Sequence, residues 1–131
     1  EFRRVLFRSE LHLGTNIYEK IGGAKTVSKI VRKFYDIVLS DDILKKYFEN
    51  ISMASLIGHQ IEFISSALGK PSEYMGRTIV EAHKGLNITN AEFNHICKIL
   101  NSVLREEGID DQYIKQIELI VLSLKNEIVG H

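Results

Sequence analysis

The histidine at position 83 is a side chain of this sequence that could bind a metal ion. It lies in the stretch IVEAHKGLNIT (79–89), between a short apolar run and a lysine–glycine pair. A neutral imidazole binds a metal through one ring nitrogen and donates its other N–H to a nearby acceptor. A histidine in this setting could equally lie on the surface or cap a helix. Position 83 alone therefore leaves a surface role and a metal-binding role open.

Two further polar side chains, Gln60 and Tyr35, lie on or beside apolar helix faces. Gln60 follows Leu56 by one helical turn in the segment MASLIGHQIEFISSAL (53–68). Burying an amide costs free energy unless it finds hydrogen-bond partners, so Gln60 needs a partner if this face is buried. Tyr35 lies beside the apolar stripe of the preceding long segment, and its hydroxyl is one candidate partner.

The elements that must position these side chains are all predicted to be helices. Apolar residues recur at steps of three and four, and no stretch shows the sustained alternation that is typical of a strand. The predicted stripes are Val27, Ile30, Val31, Phe34 and Val38; Met53, Leu56, Ile57, Ile61, Ile64 and Leu68; Phe93, Ile96, Cys97, Leu100, Val103 and Leu104; and Ile114, Ile117, Val121, Leu124 and Ile128. The sequence therefore predicts an all-α single domain.

Polar caps and glycines predict where these helices begin and end. The segment TNAE (89–92) has the capping-box pattern, in which threonine and glutamate satisfy each other's backbone N–H groups. SDD (40–42) is predicted to end the first long helix and to cap a short helix through Tyr47 and Phe48. Ser52 and DD (110–111) are predicted to begin helices. The glycine-bounded loop 69–76 is predicted to precede a short helix with His83, and Gly108 is predicted to end a helix. The apolar stretch IELIVLSL (117–124) predicts a buried last helix.

Composition excludes several classes of partner and site. The 131 residues carry 17 basic and 17 acidic side chains, and this neutrality gives no support for nucleic acid as a partner. No segment approaches the roughly 20 apolar residues of a transmembrane helix, so we expect no membrane association. The single cysteine, Cys97, excludes an internal disulfide framework and a cysteine-rich zinc site, and is most simply a packing residue. A reducing cytosol is the expected compartment.

The first nine residues, EFRRVLFRS, do not match the pattern of the rest of the chain. They lack the apolar region of a signal peptide, and the codons GAG TTC AGA CGT GTG CTC TTC CGA TCT encode them without a mismatch. This string is the end of a common short-read sequencing adapter. We therefore expect residues 1–9 to be an assembly artefact, residues 1–14 to be a non-native or disordered leader, and the natural, slightly acidic chain to be truncated or to begin near Ser9 to Thr15.

In combination, these segments resemble the truncated, two-over-two haemoglobins of group I. The resemblance covers residues 15 to 129 and rests on YEKIGG (18–23), FYDIVLSDD (34–42), YF (47–48), HQIEF (59–63), YMG (74–76) and EAHKG (81–85). It implies a globin-like, two-over-two helical sandwich around haem b, with residues 15–131 as the haem domain. It also implies that dioxygen, nitric oxide and carbon monoxide are ligands.

The same resemblance implies a role for each candidate site residue. His83 matches the proximal iron ligand, and Tyr35 and Gln60 match the polar pair that faces a bound diatomic ligand. Phe48 matches the phenylalanine that packs on the haem, and Leu56 stands where ordinary globins often carry a distal histidine. A tyrosine hydroxyl and an amide suit this place, because bound dioxygen carries partial negative charge.

His59, directly before Gln60, has two interpretations. A basic residue at this place in the family commonly contacts a haem propionate, and in some relatives a histidine here binds the iron as a sixth ligand. We expect the propionate contact or an exposed side chain, and keep the sixth-ligand role as the alternative. His12, His95 and His131 lack a comparable context and are predicted to lie on the surface or at a terminus.

Three functions remain open from the sequence. The first is binding of dioxygen and other diatomic ligands, with oxidation of nitric oxide to nitrate; an external electron donor or reductase would then be needed, since the chain has no flavin or nicotinamide motif. The second is electron transfer or redox and gas sensing, favoured if His59 binds the iron. The third is a haem-free helical interaction module. We expect a monomer that performs the first.

Overall fold

A computed structural model describes residues 17–69, 83 and 85–130 of the chain. Its helices are α1 (Ile17–Lys20), α2 (Gly23–Ser40), a 3-10 helix (Lys45–Phe48), α3 (Met53–Ala67), α4 (Asn90–Glu106), α5 (Asp111–Ser123) and α6 (Lys125–Ile128). Within those ranges there is no strand, only an isolated bridge between Ile88 and Val129. The predicted all-α class is confirmed. The predicted leader and most of the loop before His83 lie outside the described residues.

Helix α2 is the element against which most of the others pack. It contacts α1, the 3-10 helix, α3 and α4, and α4 in turn contacts α5. Its inner face carries five buried residues at helical spacing: Val27, Ile30, Val31, Tyr35 and Val38. Burying an apolar side chain contributes about 1.5–3 kcal/mol. The pairs α2–α3 and α4–α5 are therefore joined through the contact between α2 and α4.

The turn from α1 into α2 requires glycine. Gly22 has a φ of 120° and Gly23 has a φ of 69°, a region that other residues rarely adopt. A Cβ atom added to Gly22 would lie only 2.1 Å from Oγ1 of Thr26. Helix α1 is also tied to the end of α3, because the Tyr18 N–H donates to the Leu68 carbonyl at 3.0 Å. The glycine pair thus sets the direction in which α2 enters the core.

The predicted caps are confirmed at α3, α4 and α5. The Ser52 hydroxyl accepts a hydrogen bond from the Ser55 N–H at 3.4 Å, and the Asp110 side chain caps α5. At α4 the full capping box forms: Thr89 Oγ1 accepts from the Glu92 N–H at 3.1 Å, and Glu92 Oε1 accepts from the Thr89 N–H at 3.0 Å. Such caps satisfy backbone donors that a helix start otherwise leaves unpaired.

The prediction of one buried last helix through Ile128 was wrong. Helix α5 ends at Ser123, and the short α6 follows after Leu124. The Ser123 hydroxyl donates to the Ile120 carbonyl at 2.6 Å, and the Leu124 N–H donates three residues back to Val121 at 3.0 Å, which tightens and ends the helix. Within the stretch expected to be buried, Leu119 and Leu122 are 66% and 52% exposed.

The end of α4 follows the prediction at Gly108. Gly108 has a φ of 75°, its N–H donates to the Arg105 carbonyl at 3.0 Å, and the Ile109 N–H donates to the Leu104 carbonyl at 3.1 Å. These two bonds form the Schellman motif, which pairs the last carbonyls of a helix. The left-handed residue in the motif favours glycine, because a Cβ atom clashes with the next carbonyl.

We predict that Gly58→Ala and Gly108→Ala change the free energy of unfolding in opposite directions. An added Cβ atom would meet open space at both positions, so packing does not decide the sign. Alanine at Gly58, inside α3, should stabilise the protein by about 0.5–1 kcal/mol. Alanine at Gly108 should destabilise it by about 1 kcal/mol. Urea unfolding followed by circular dichroism measures both, and equal signs would contradict the assignment.

Candidate functional site

Tyr35 lies at the centre of the candidate site. Helix α2 buries it to 9% exposure, and two phenylalanine rings meet it edge to face. The ring centroid of Phe34 lies 5.0 Å away at 86°, and that of Phe48 lies 5.8 Å away at 79°. Such edge-to-face contacts add about 0.5–1.5 kcal/mol each beyond the area buried. The sequence-predicted residues Tyr35 and Phe48 are therefore in contact.

The Tyr35 hydroxyl retains its proton but has no hydrogen-bond partner among the described residues. Burial raises the pKa of Tyr35 far above its usual value, since the low-dielectric surroundings disfavour phenolate. The direct bond to Gln60 that the sequence allowed is not formed. No fully buried side-chain N or O atom in the described part of the chain lacks a partner, so the Tyr35 oxygen reaches accessible space. It can therefore donate to a third group.

Helix α3 presents an apolar face that the described residues only partly cover. It is the most apolar of the four long helices, yet its one fully buried residue is Ser65. Its apolar side chains pack against the core and stay partly exposed: Met53, Leu56, Ile57, Ile61 and Ile64. Gln60 is half-buried on this helix, four residues after Leu56 and hence on the same face.

The two histidines of the predicted site differ in burial. His59, on α3, is exposed, as expected for a surface residue or a contact to a carboxylate. His83 is half-buried with helical backbone, and its carbonyl accepts a hydrogen bond from the Leu86 N–H at 3.2 Å. Gly85, which follows at a φ of 84°, ends this segment. The proximal role of His83 and the sixth-ligand role of His59 stay predictions.

The described side chains fit a flat, apolar, iron-containing group such as haem. A planar group against α3 would cover the half-buried apolar side chains, with Phe48 and Leu56 among its contacts. No cluster of three or more His, Cys, Asp or Glu able to hold a metal occurs in the part of the chain that the structure describes. Haem iron needs only an axial ligand from the protein, and an imidazole such as that of His83 is suitable chemistry.

Sequence reasoning missed two contacts near the site, both made by α4. The Tyr47 hydroxyl donates to Glu92 Oε1 at 2.6 Å, across 45 positions of the chain. His95, predicted to be a surface residue without a role, has its Nε2 atom 2.5 Å from Oδ2 of Asp41. Only the capping box marked Glu92 as structurally important, and nothing in the sequence pattern marked His95.

The chain is similar to known proteins along most of its length. The sequence profile of the family described as bacterial-like globin matches residues 16–129. The group 1 truncated haemoglobin of Tetrahymena thermophila is 35% identical over 114 residues, which cover 87% of this chain and 94% of the relative. The group 1 truncated haemoglobin of Synechocystis is 34% identical over 110 residues, which cover 81% and 89%.

Solved structures give the same result for the fold. The crystal structure of truncated haemoglobin from Tetrahymena pyriformis in the Fe(III) form has a TM-score of 0.83 and 34% identity, covering 88% of this chain and 98% of that one. The 2/2 haemoglobin from Synechococcus, in the cyanomet state with covalently attached heme, has a TM-score of 0.79 and 32% identity, covering 86% and 96%. The globin-like fold is therefore confirmed.

We predict that Tyr35 stays protonated where an ordinary tyrosine ionises. The difference in tyrosinate absorbance between the wild type and Tyr35→Phe should be near zero at a pH of about 10, the usual pKa of tyrosine. Tyr113→Phe is the matched control, because Tyr113 lies half-exposed at the start of α5. A full tyrosinate contribution from Tyr35 at that pH, with the fold intact by circular dichroism, would show that its hydroxyl is solvated.

Proposed function

Because the chain belongs to the bacterial-like globin family, as a group 1 truncated haemoglobin, we propose that it binds dioxygen and oxidises nitric oxide to nitrate. Haem-based gas binding follows from the family. The observation that carries the finer proposal is the protonated Tyr35 hydroxyl, which has a donor proton and no acceptor among the described residues. It can hydrogen-bond a small polar ligand in an apolar site.

Haem b supplies an iron atom that binds diatomic gases and exchanges one electron. In our assignment His83 would be its proximal ligand, Phe48 and Leu56 would contact it, and the exposed His59 would be available to a propionate. An imidazole ligand is oriented by the acceptor of its second N–H. These roles rest on the donor types and on the half-covered face of α3 described above.

Tyr35 and Gln60 retain the ligand in this proposal. Bound dioxygen draws negative charge onto its oxygen atoms, so an O–H or N–H donor aimed at it is attractive. Both donors act in apolar surroundings, where such a bond is stronger than in water. A hydrogen bond to a charged group contributes about 1.5–3 kcal/mol, which corresponds to a factor of about 10 to 100 in the rate of ligand loss.

Oxidation of nitric oxide needs a retained dioxygen and an outside electron. One nitric oxide, one dioxygen and one electron give one nitrate ion, so an outside reductant must supply one electron in each cycle. We propose an external electron donor or reductase for this step. The proposal places the protein in the cytosol as a monomer, and the free cysteine Cys97 suits a reducing compartment. Among the described helices, none is long and apolar enough to cross a membrane.

The exposure of His59 supports ligand binding over the six-coordinate alternative. An imidazole that reaches solvent would have to turn into the pocket to bind the iron, and would then compete with dioxygen. In that case the function would be electron transfer or redox sensing. The haem-free module is disfavoured by the family and by the face of α3, which the described residues leave incompletely covered.

We predict that His83→Ala loses stable haem binding, whereas His59→Ala retains it. The measurement is an optical spectrum of each purified protein after haem addition, first ferric and then reduced with dithionite. The wild type and His59→Ala should both show a five-coordinate ferrous spectrum that changes on addition of dioxygen. His83→Ala with stoichiometric haem would remove His83 from the proximal role. A six-coordinate ferrous spectrum that reverts in His59→Ala would favour the redox alternative.

We predict that Tyr35→Phe speeds dioxygen release by about 10- to 100-fold, because a donor to the ligand is lost. The phenyl ring keeps the edge contacts to Phe34 and Phe48, so packing should change little. Stopped-flow displacement of dioxygen by carbon monoxide gives the rate. Carbon monoxide is less polar, and its own release should change far less. An unchanged dioxygen rate would mean that the Tyr35 hydroxyl points away from the ligand.

A further inference from the structure

We infer that the corner between α2 and α3 positions Tyr35 for ligand retention through its contacts with helix α4. The corner is defined as residues 41–48, and its two contacts with α4 are Tyr47–Glu92 and Asp41–His95. Tyr47, Glu92, Asp41 and His95 are positioning residues in this inference, since they act through Phe48 on Tyr35. The inference rests on the proposed function, because its readout is the release of dioxygen.

The first contact joins the side chains of Tyr47 and Lys46, near the end of the corner, to the carboxylate of Glu92. Glu92 Oε1 accepts from the Tyr47 hydroxyl at 2.6 Å, and Glu92 Oε2 lies 3.4 Å from Nζ of Lys46. Its bond with Tyr47, the capping bond at Thr89 and the nearby Lys46 lower the pKa of Glu92 to about 2. Burial, together with Glu92, raises the pKa of Tyr47 to about 12. Tyr47 therefore stays the donor and Glu92 the charged acceptor over the whole neutral range.

The second contact fixes the beginning of the corner. Asp41 Oδ1 accepts from the Ile43 N–H at 2.8 Å and the Leu44 N–H at 3.1 Å, which turns the chain after α2. Its other oxygen, Oδ2, lies 2.5 Å from Nε2 of His95. The bond with His95 and the two backbone donors hold the pKa of Asp41 below its usual value. One carboxylate thus shapes the turn and ties it to α4.

These contacts reach Tyr35 through the ring of Phe48. Phe48 directly follows Tyr47 in the 3-10 helix, and its ring meets the Tyr35 ring edge to face. The Tyr35 ring also meets the ring of Phe34, its neighbour on the same helix. Phe48 is the ring neighbour that comes from another element, and the Tyr47–Glu92 bond limits how far that 3-10 helix shifts. Loss of that bond lets the Tyr35 hydroxyl drift from the ligand.

The corner should survive the loss of one contact. Leu44, in its middle, is only 1% exposed and anchors it in the core. A Tyr47→Phe substitution keeps the ring and removes only the donor, so the variant should fold and bind haem. Gly108→Ala is the matched control for stability: it lies 16 positions beyond Glu92, roughly 24 Å along α4, and strains only the backbone.

The test is a double-mutant cycle in the haem-loaded ferrous protein. Dioxygen release is measured in the wild type, Tyr47→Phe, Tyr35→Phe and the double variant, with Gly108→Ala as the control. Tyr47→Phe should raise the rate roughly threefold to tenfold, less than Tyr35→Phe does. The double variant should release dioxygen at the rate of Tyr35→Phe alone, because Tyr47 acts through the missing hydroxyl. Gly108→Ala should match the wild type.

The outcomes separate the inference from the proposed function. A wild-type rate in Tyr47→Phe, or multiplication of the two effects in the double variant, would overturn the positioning role while dioxygen binding stands. A wild type that binds no dioxygen would overturn the proposed function itself. The second contact is tested in parallel: His95→Gln keeps an N–H donor for Asp41 and should retain the wild-type rate, whereas His95→Leu should raise it. Equal rates in the two His95 variants would remove that contact from the inference.

Discussion

The buried ring of Tyr35 constrains the elements around it. Its hydroxyl has no acceptor in the described part of the chain and must find one outside it. An unpaired donor is tolerated only where it reaches accessible space, so the core must be dense around the Tyr35 ring and open at its oxygen. Helix α2 supplies the dense side through its buried stripe. Helix α3 supplies the open side, since the described residues cover its apolar face only partly. The two helices pack against each other and together offer apolar side chains and one hydroxyl donor.

Charge is used in this fold to fix backbone corners, and only secondarily to hold helices together. Glu92 closes a capping box, accepts from Tyr47 and attracts Lys46, and Asp41 both shapes a turn and contacts His95. The pair Lys33–Glu107, at 2.7 Å, includes a lysine side chain that is 43% exposed, and ion pairs that reach solvent contribute little. The carboxylates that fix a corner are those that also accept hydrogen bonds from backbone N–H groups, because these bonds hold the carboxylate in position for its side-chain partner.

The parts of this structure that the sequence predicts are those set by neighbours along the chain. Helical stripes, the caps at Ser52, Thr89 and Asp110, and the Gly108 terminus all depend on a few adjacent positions, and all are found. The site residues came from a family resemblance, and burial then added that Tyr35 is a protonated donor. The features that the sequence did not predict are contacts between residues far apart in the chain and a helix end that the apolar period does not mark. The Tyr47–Glu92 and Asp41–His95 contacts span 45 and 54 positions, and the last long helix ends at Ser123 although its apolar pattern continues.

The incompletely covered face of α3 links the lifetime of the protein to its cofactor. A group that binds only the folded chain stabilises it by mass action, and the gain grows with the logarithm of the free concentration of that group. Without haem, the described residues leave the apolar side chains of α3 partly exposed, so local unfolding of this helix would expose it to a protease. Cellular degradation would then remove haem-free molecules faster than loaded ones. The amount of this globin would follow the supply of haem even at a constant rate of synthesis.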